Sequence, residues 1–148
     1  ALDNDILRLC KVLGQRLDAN VHAFHSYDPR IALASSTATA YIPISLPLDE
    51  IEEQMRETHK ERFDEVTESH GIAAENSHLV AGLAHEELQE IAESVTADLV
   101  VMGAVARNRM KRIFIGSTAE RTLEHLPCDL LVIKPEWFEV PDDIRTDD

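Results

Sequence analysis

The sequence predicts an α/β protein whose parallel strands are joined by right-handed helical crossovers. Segments with helical periodicity alternate along the chain with short apolar runs. Two of these runs, Leu99–Met102 and Leu130–Ile133, hold four successive apolar residues, which is typical of strands covered on both faces. The chain of 148 residues is long enough for one domain with its own core.

The first half of the chain predicts two helices, one strand and a long connection. Asp3–Asp18 is predicted as an amphipathic helix, and Asn20–Ser26 alternates as a strand does. Ile31–Pro47 is either an ordered surface loop or a docking segment. Leu48–His70 is predicted as a long helix with a charged outer face. The apolar positions of the first helix are Ile6, Leu9, Cys10, Leu13 and Leu17.

The second half predicts three strands and two helices. Gly71 is expected to end the long helix. Ser117 opens the last helix, with Glu120 three residues later, as in a capping box. In that helix Ala119, Leu123 and Leu126 are expected to face the core, and Pro127 to end it. The other elements are a strand at Asn76–Ala81, a helix at Ala84–Thr96, and strands at Leu99–Met102 and Leu130–Ile133.

Composition excludes several classes of function. The net charge of −14 disfavours nucleic acid and anionic lipid as partners, and no apolar run is long enough to span a bilayer. Cys10 and Cys128 form no CxxC motif, which favours the reducing cytoplasm. No metal site is expected, because no HxxxH or histidine–carboxylate spacing recurs on one helix face.

The segment from Asp98 to Leu126 has the layout of a phosphate cradle. A strand ends at Gly103, a basic loop follows, and Gly116 precedes a helix that starts at Ser117 and Thr118. Unpaired N–H groups and the dipole make a helix start favourable for anions. Because strand ends and helix starts share the carboxyl edge of a parallel sheet, Gly103 and Ser117 can line one pocket.

The loop inside this segment is basic in an otherwise acidic protein. We favour phosphate binding over the alternative of a solubilising loop that pairs with acidic residues elsewhere. No P-loop, GxGxxG motif, catalytic triad order or paired-carboxylate spacing accompanies it, so we predict binding without catalytic residues. The four basic residues are Arg107, Arg109, Lys111 and Arg112.

Nearly the whole chain resembles the universal stress proteins, and most closely the second domain of tandem members of the E type. Nucleotide-binding members carry G-x2-G-x9-G-[ST] after the fourth strand. The present chain has Gly103, Ala106, Gly116 and Ser117 at the same spacing, with alanine in place of the second glycine. The flanking VVMG and CDLLVIKP segments are also typical.

This resemblance implies a flavodoxin-like, adenine nucleotide α-hydrolase-like fold with five parallel strands in the order 3-2-1-4-5 and helices on both faces. It implies ATP or a related adenine nucleotide, with Mg²⁺ on the phosphates, and no more than a weak ATPase activity. Met102 and Gly103 would lie near the adenosine, with Ser26 close to the adenine. Ala106 and Arg107 belong to the loop, and Gly116, Ser117 and Thr118 would hold the phosphates.

The chain departs from the family in two ways. Ala106 adds a methyl group where glycine lets the loop approach the nucleotide. The family's first strand is also missing, since the sequence opens with a helix. We therefore expect one N-terminally truncated domain at 1–135 and an acidic tail at 136–148.

Two functions follow from the resemblance. The first is a stress-response module that binds an adenine nucleotide. The alternative is a domain without nucleotide that serves dimerisation through Leu130–Ile133, packs against a sister domain of the same polypeptide, or takes another ligand.

Overall fold

The structure is a computed structural model that describes residues 2–30, 48–104 and 117–134. Helices and short strands alternate along these residues, as the sequence predicts. The helices are α1 (Leu2–Leu17), α2 (Leu48–Ser69), α3 (Ala84–Ser94) and α4 (Ser117–His125). The strands are β1 (Ala23–Tyr27), β2 (Ser77–Ala81), β3 (Leu99–Gly103) and β4 (Asp129–Ile133), and a single 3₁₀ turn at Ala74–Asn76 precedes β2.

Strands β1 and β2 form one parallel pair. Ala23 lies opposite Ser77 and Tyr27 opposite Ala81, and α2 packs on both strands. Ala23 and Tyr27 are among the few buried apolar residues of the described chain. Helix α2 ends as predicted, because Gly71 takes a positive φ of 73° just beyond it.

Strands β3 and β4 form a second parallel pair, with Leu99 opposite Asp129 and Gly103 opposite Ile133. Helix α4 connects them, and α1 packs on β3. Helix α3 contacts both α4 and β1. It therefore bridges the two strand pairs.

The two pairs are not hydrogen-bonded to each other within the described residues. Each is a separate two-stranded sheet, with β1 beside β2 and β3 beside β4. The α/β architecture with parallel strands is confirmed. The five-stranded order 3-2-1-4-5 remains a prediction, since the described chain contains four strands.

Strand β3 is less buried than its apolar sequence predicts. Leu99 is 41% exposed and Leu131, on the adjacent strand, is 36% exposed. Leu99 lies opposite Asp129, and Leu131 is two residues beyond Asp129 in the same strand. Alternate residues of a strand point to the same face, so Leu99 and Leu131 share one face of the pair. The prediction of complete burial is wrong because that face is only partly covered.

Two further residues that were predicted to face the core, one in α4 and one in α1, are exposed. Leu123 is 56% exposed, whereas Thr122 is 1% exposed; neighbouring positions differ by about 100° around a helix, so α4 turns Thr122 inward. Leu17 is 68% exposed, since α1 ends there and the chain folds back through Asp18.

Helix α3 ends in a Schellman motif with an unfavourable residue. Ala97 N–H donates to the Ala92 carbonyl at 2.9 Å and Thr96 N–H to the Glu93 carbonyl at 3.1 Å. Thr96 takes φ 52°, which costs a β-branched residue about 1–2 kcal/mol.

We expect Thr96→Gly to raise the free energy of unfolding by about 1 kcal/mol, measured by urea denaturation. As a control, Gly71→Ala should lower the free energy of unfolding, because Gly71 has φ 73° with open space around it. A lower free energy of unfolding in Thr96→Gly would contradict the motif.

Within the described ranges, no helix is both long and apolar enough to cross a membrane.

Candidate functional site

The carboxyl ends of each strand pair meet at one edge. Beyond β1 and β2, Gly82 N–H donates to the Tyr27 carbonyl at 2.9 Å. Beyond β3 and β4, Ala104 N–H donates to the Ile133 carbonyl at 2.8 Å. These bonds extend both ladders by one residue, so the strand ends are fixed by backbone pairing. Gly82 has φ 154°, a conformation that favours glycine.

Helix α4 lies in the chain between the parallel strands β3 and β4. Its nine residues span about 13 Å, and it leads back to the amino end of β4, which is parallel to β3. A strand of five residues is about 16 Å long. In a β–α–β unit the helix runs back along its strands, so we expect the start of α4 at Ser117 to lie level with Gly103 and Ile133. Its first N–H groups lack partners in the helix.

The described residues include part of the sequence-predicted site. Met102 pairs with Val132 inside the second ladder and is half-buried, and Gly103 ends β3. Ser117 and Thr118 are the first two residues of α4. The predicted positions outside the described residues are Ala106, Arg107 and Gly116, the other basic residues Arg109, Lys111 and Arg112, the Ile31–Pro47 segment and the tail at 136–148.

An ion pair follows β1 at the same edge. The Arg30 guanidinium donates to both oxygens of Asp28, each at 2.9 Å, and the Arg30 backbone N–H donates to Oδ1 at 3.0 Å. Hydrogen bonds from Arg30 lower the pKa of the Asp28 carboxyl. The Asp28 carboxylate is therefore ionised, and the Arg30 guanidinium is held by it beside the end of β1. Ser26, the residue expected near adenine, is half-buried in β1.

Four histidines form two pairs around β1 and β2, an arrangement that no sequence pattern predicts. His22 Nδ1 lies 3.1 Å from His78 Nε2, and His25 Nε2 lies 3.0 Å from His59 Nδ1. The register places Phe24 opposite His78, so His22 shares a face with His78 while His25 lies on the other. The sequence signals only the two histidines of the VHAFH segment at the start of β1. Their partners, His78 of β2 and His59 of α2, are brought to them by the fold.

The second of these pairs is enclosed by aromatic rings. The Tyr27 ring lies 4.9 Å from the His59 ring with 11° between their planes, and Phe63 lies 6.0 Å from His25. Tyr27 is only 8% exposed. The His25–His59 contact therefore joins α2 to the sheet in a partly buried position.

Two cavities in the described chain lie away from the described part of the predicted site. One of about 350 Å³ lies at the opposite, amino edge, where α1 meets the connection that precedes β2. Another, of about 270 Å³, lies along α2. In the same ranges no group of three or more histidine, cysteine or acidic side chains is arranged to hold a metal ion. Cys10 and Cys128 are free thiols, and burial raises the pKa of each.

Comparison with known proteins identifies the family that the chain resembles. A family model described as the universal stress protein family matches residues 3–134. Universal stress protein E of Escherichia coli K12 is 42% identical over 71 residues, which cover 48% of this chain and 22% of the relative. Universal stress protein E of Photorhabdus laumondii is 29% identical over 119 residues, covering 77% of this chain and 38% of the relative.

A solved structure has a similar fold. The crystal structure of a putative universal stress protein from Pseudomonas aeruginosa superposes with a TM-score of 0.65 at 24% identity, covering 88% of this chain and 40% of that one. The present chain thus spans less than half the length of this protein and of the two curated relatives. The likeness in structure concerns the fold alone.

Proposed function

Since the chain belongs to the universal stress protein family, we propose that it is a stress-response domain that binds an adenine nucleotide at the Gly103–Thr118 segment. ATP is the expected ligand. Its phosphates would carry Mg²⁺, a cation that protein sites commonly bind together with substrate phosphates and water. The domain acts as a binding module rather than an enzyme.

The observation that carries this proposal is the parallel β3–α4–β4 unit, from whose lengths we expect the start of α4 beside the carboxyl end of β3. A ligand in that position meets a strand end and a helix start together, which is where open parallel sheets bind nucleotides. The unpartnered N–H groups of α4 favour a phosphate, and the helix dipole adds to the attraction. Gly116 precedes this start and leaves the backbone open to close approach.

Residue roles follow from position along the segment. Met102 and Gly103 would contact the adenosine at the end of β3. Ala106 and Arg107 would belong to a loop over the ligand, and the arginine would pair with a phosphate. Ser117 and Thr118, with Gly116, would hold the phosphates through the helix start. Ser26 of β1 would approach the adenine from the neighbouring strand pair.

Calorimetry with ATP and Mg²⁺ tests the proposal, and Ala106→Gly sharpens it. If position 106 needs a positive φ, alanine costs about 1–2 kcal/mol, so glycine should tighten binding about tenfold. Ala73→Gly makes the same change at an exposed position near the amino edge and should leave the affinity unchanged. Absence of binding heat at millimolar ATP in both the unaltered chain and Ala106→Gly would overturn the nucleotide proposal.

The alternative is an interaction domain without nucleotide. The apolar face shared by Leu99 and Leu131 favours it, since exposed apolar side chains grouped on a sheet are typical of contact surfaces. The partner would be a second copy of the chain bound through β4, or a sister domain of the same polypeptide, as the greater length of the relatives suggests.

We further propose that the described fold lacks a strand between β1 and β3. The separation of the sheet into two pairs supports this, as does the exposure of Leu99. In the family order the first strand occupies that place, about 10 Å across, and would come from sequence upstream of residue 1. The domain would then extend to residue 135, followed by the acidic tail at 136–148. The free thiols are consistent with a place in the cytoplasm.

A further inference from the structure

The first histidine pair, His22 with His78, has the composition of a transition-metal site. Imidazole nitrogen is a preferred ligand of Zn²⁺, Cu²⁺ and Ni²⁺. His78 lies in β2 and His22 directly precedes β1, so the parallel β1–β2 pairing brings the two rings to the same end of the pair. We propose that His22 and His78 together bind one divalent transition-metal ion at the amino end of this strand pair, with water completing the coordination.

The distance between the two nitrogens fits chelation. Nδ1 of His22 and Nε2 of His78 are 3.1 Å apart. Zinc–nitrogen bonds are about 2.0–2.1 Å long, so two nitrogens at that separation subtend about 100° at the metal. This angle lies between the values for square and tetrahedral coordination. A single ion can therefore contact both nitrogens while the strands keep their register.

The rings must tilt to receive the ion. Their centroids are 5.3 Å apart with 19° between the planes, so the two nitrogens lie nearly on the line that joins the rings, as in an N–H···N hydrogen bond. Binding requires each lone pair to turn towards a common point. His22 is exposed and His78 half-buried, and exposed side chains reorient rapidly.

Both imidazoles can supply a lone pair without net proton release. In the neutral pair one bridging nitrogen carries a hydrogen, which moves to the other nitrogen of the same ring when the metal binds. No third histidine, cysteine or acidic ligand joins them in the described ranges, so the remaining positions are open to water.

The second histidine pair provides an internal comparison. His25 and His59 are separated by a similar distance, but Tyr27 and Phe63 rings lie against them. An ion there would have to enter a partly buried, aromatic environment and keep its waters. We therefore assign the metal to the exposed pair alone.

Titration of untagged protein with ZnCl₂, followed by calorimetry, tests the site. We expect one ion per chain with sub-millimolar affinity. His22→Ala and His78→Ala should each weaken binding by about tenfold or more, the range seen when metal sites lose supporting groups. His125→Ala, which removes an exposed histidine on α4, should leave binding unchanged.

A spectroscopic measurement identifies the ligands directly. With Cu²⁺, electron paramagnetic resonance should show two coordinated imidazole nitrogens in the unaltered protein and one in His22→Ala. The proposal is overturned if Zn²⁺ produces no binding heat, or if neither single variant weakens binding. It is equally overturned if His59→Ala abolishes binding while His22→Ala does not, since the ion would then occupy the other pair.

Discussion

A chain extended upstream to include the strand that we propose between β1 and β3 should be several kcal/mol more stable than residues 1–148 alone. The gain comes from covering apolar side chains beside the new strand, such as Leu99, which is now 41% exposed. Full burial of one such side chain contributes about 1.5–3 kcal/mol. With new backbone pairing on both sides, we expect the free energy of unfolding to rise by about 3–6 kcal/mol.

Urea denaturation of the two chains measures this difference. The slope of the unfolding free energy against urea should also increase, because the extended chain exposes more surface when it unfolds. A matched control places proline in the middle of the added strand, which removes a ladder hydrogen bond and should cancel most of the gain. Equal midpoints for the extended and the shorter chain would show that nothing is missing between β1 and β3.

Replacing Gly116 by valine and Ser117 by alanine together should weaken ATP binding by about 100-fold, or about 2.7 kcal/mol. Valine at position 116 places a branched side chain where the phosphate would approach the start of α4. Alanine at position 117 removes the hydroxyl of the first residue of α4, where we propose that the phosphate binds. Both changes act on the segment that carries the proposal, and neither alters the strands.

Calorimetry on the extended chain gives the affinity, and circular dichroism checks that the helices persist. Ser94→Ala is the matched control, because this hydroxyl donates to the Ile91 carbonyl at the end of α3, away from the predicted ligand. Unchanged ATP affinity in the Gly116→Val, Ser117→Ala protein would place the nucleotide elsewhere. Equal losses in Ser94→Ala would indicate general destabilisation instead.

Local sequence signals predict the elements well. Periodicity predicts α1 at Asp3–Asp18, and the helix lies at Leu2–Leu17. The sequence also predicts that α4 opens at Ser117, which is the first residue of that helix. These features depend on periodicity and on terminal residues, which are properties of short segments. The site's strand end at Gly103 could be predicted for the same reason.

What the sequence could not predict depends on contacts between distant segments. The pairing of His22 with His78 spans 56 residues, and no spacing rule for a single helix or strand captures it. The exposure of Leu99 follows from what lies beside β3 rather than from β3 itself. The choice of Thr122 over Leu123 as the buried position of α4 depends on where α3 packs.

The bridging position of α3 has a consequence for folding. Each strand pair is closed by a connection of its own, β1–α2–β2 on one side and β3–α4–β4 on the other. Such units can form from contacts that are near in sequence, before either meets the other. Helix α3, together with α1, which leads into β1 and packs on β3, then makes the two halves cooperative. Amide hydrogens in the two halves should therefore exchange at separate rates unless both helices are docked.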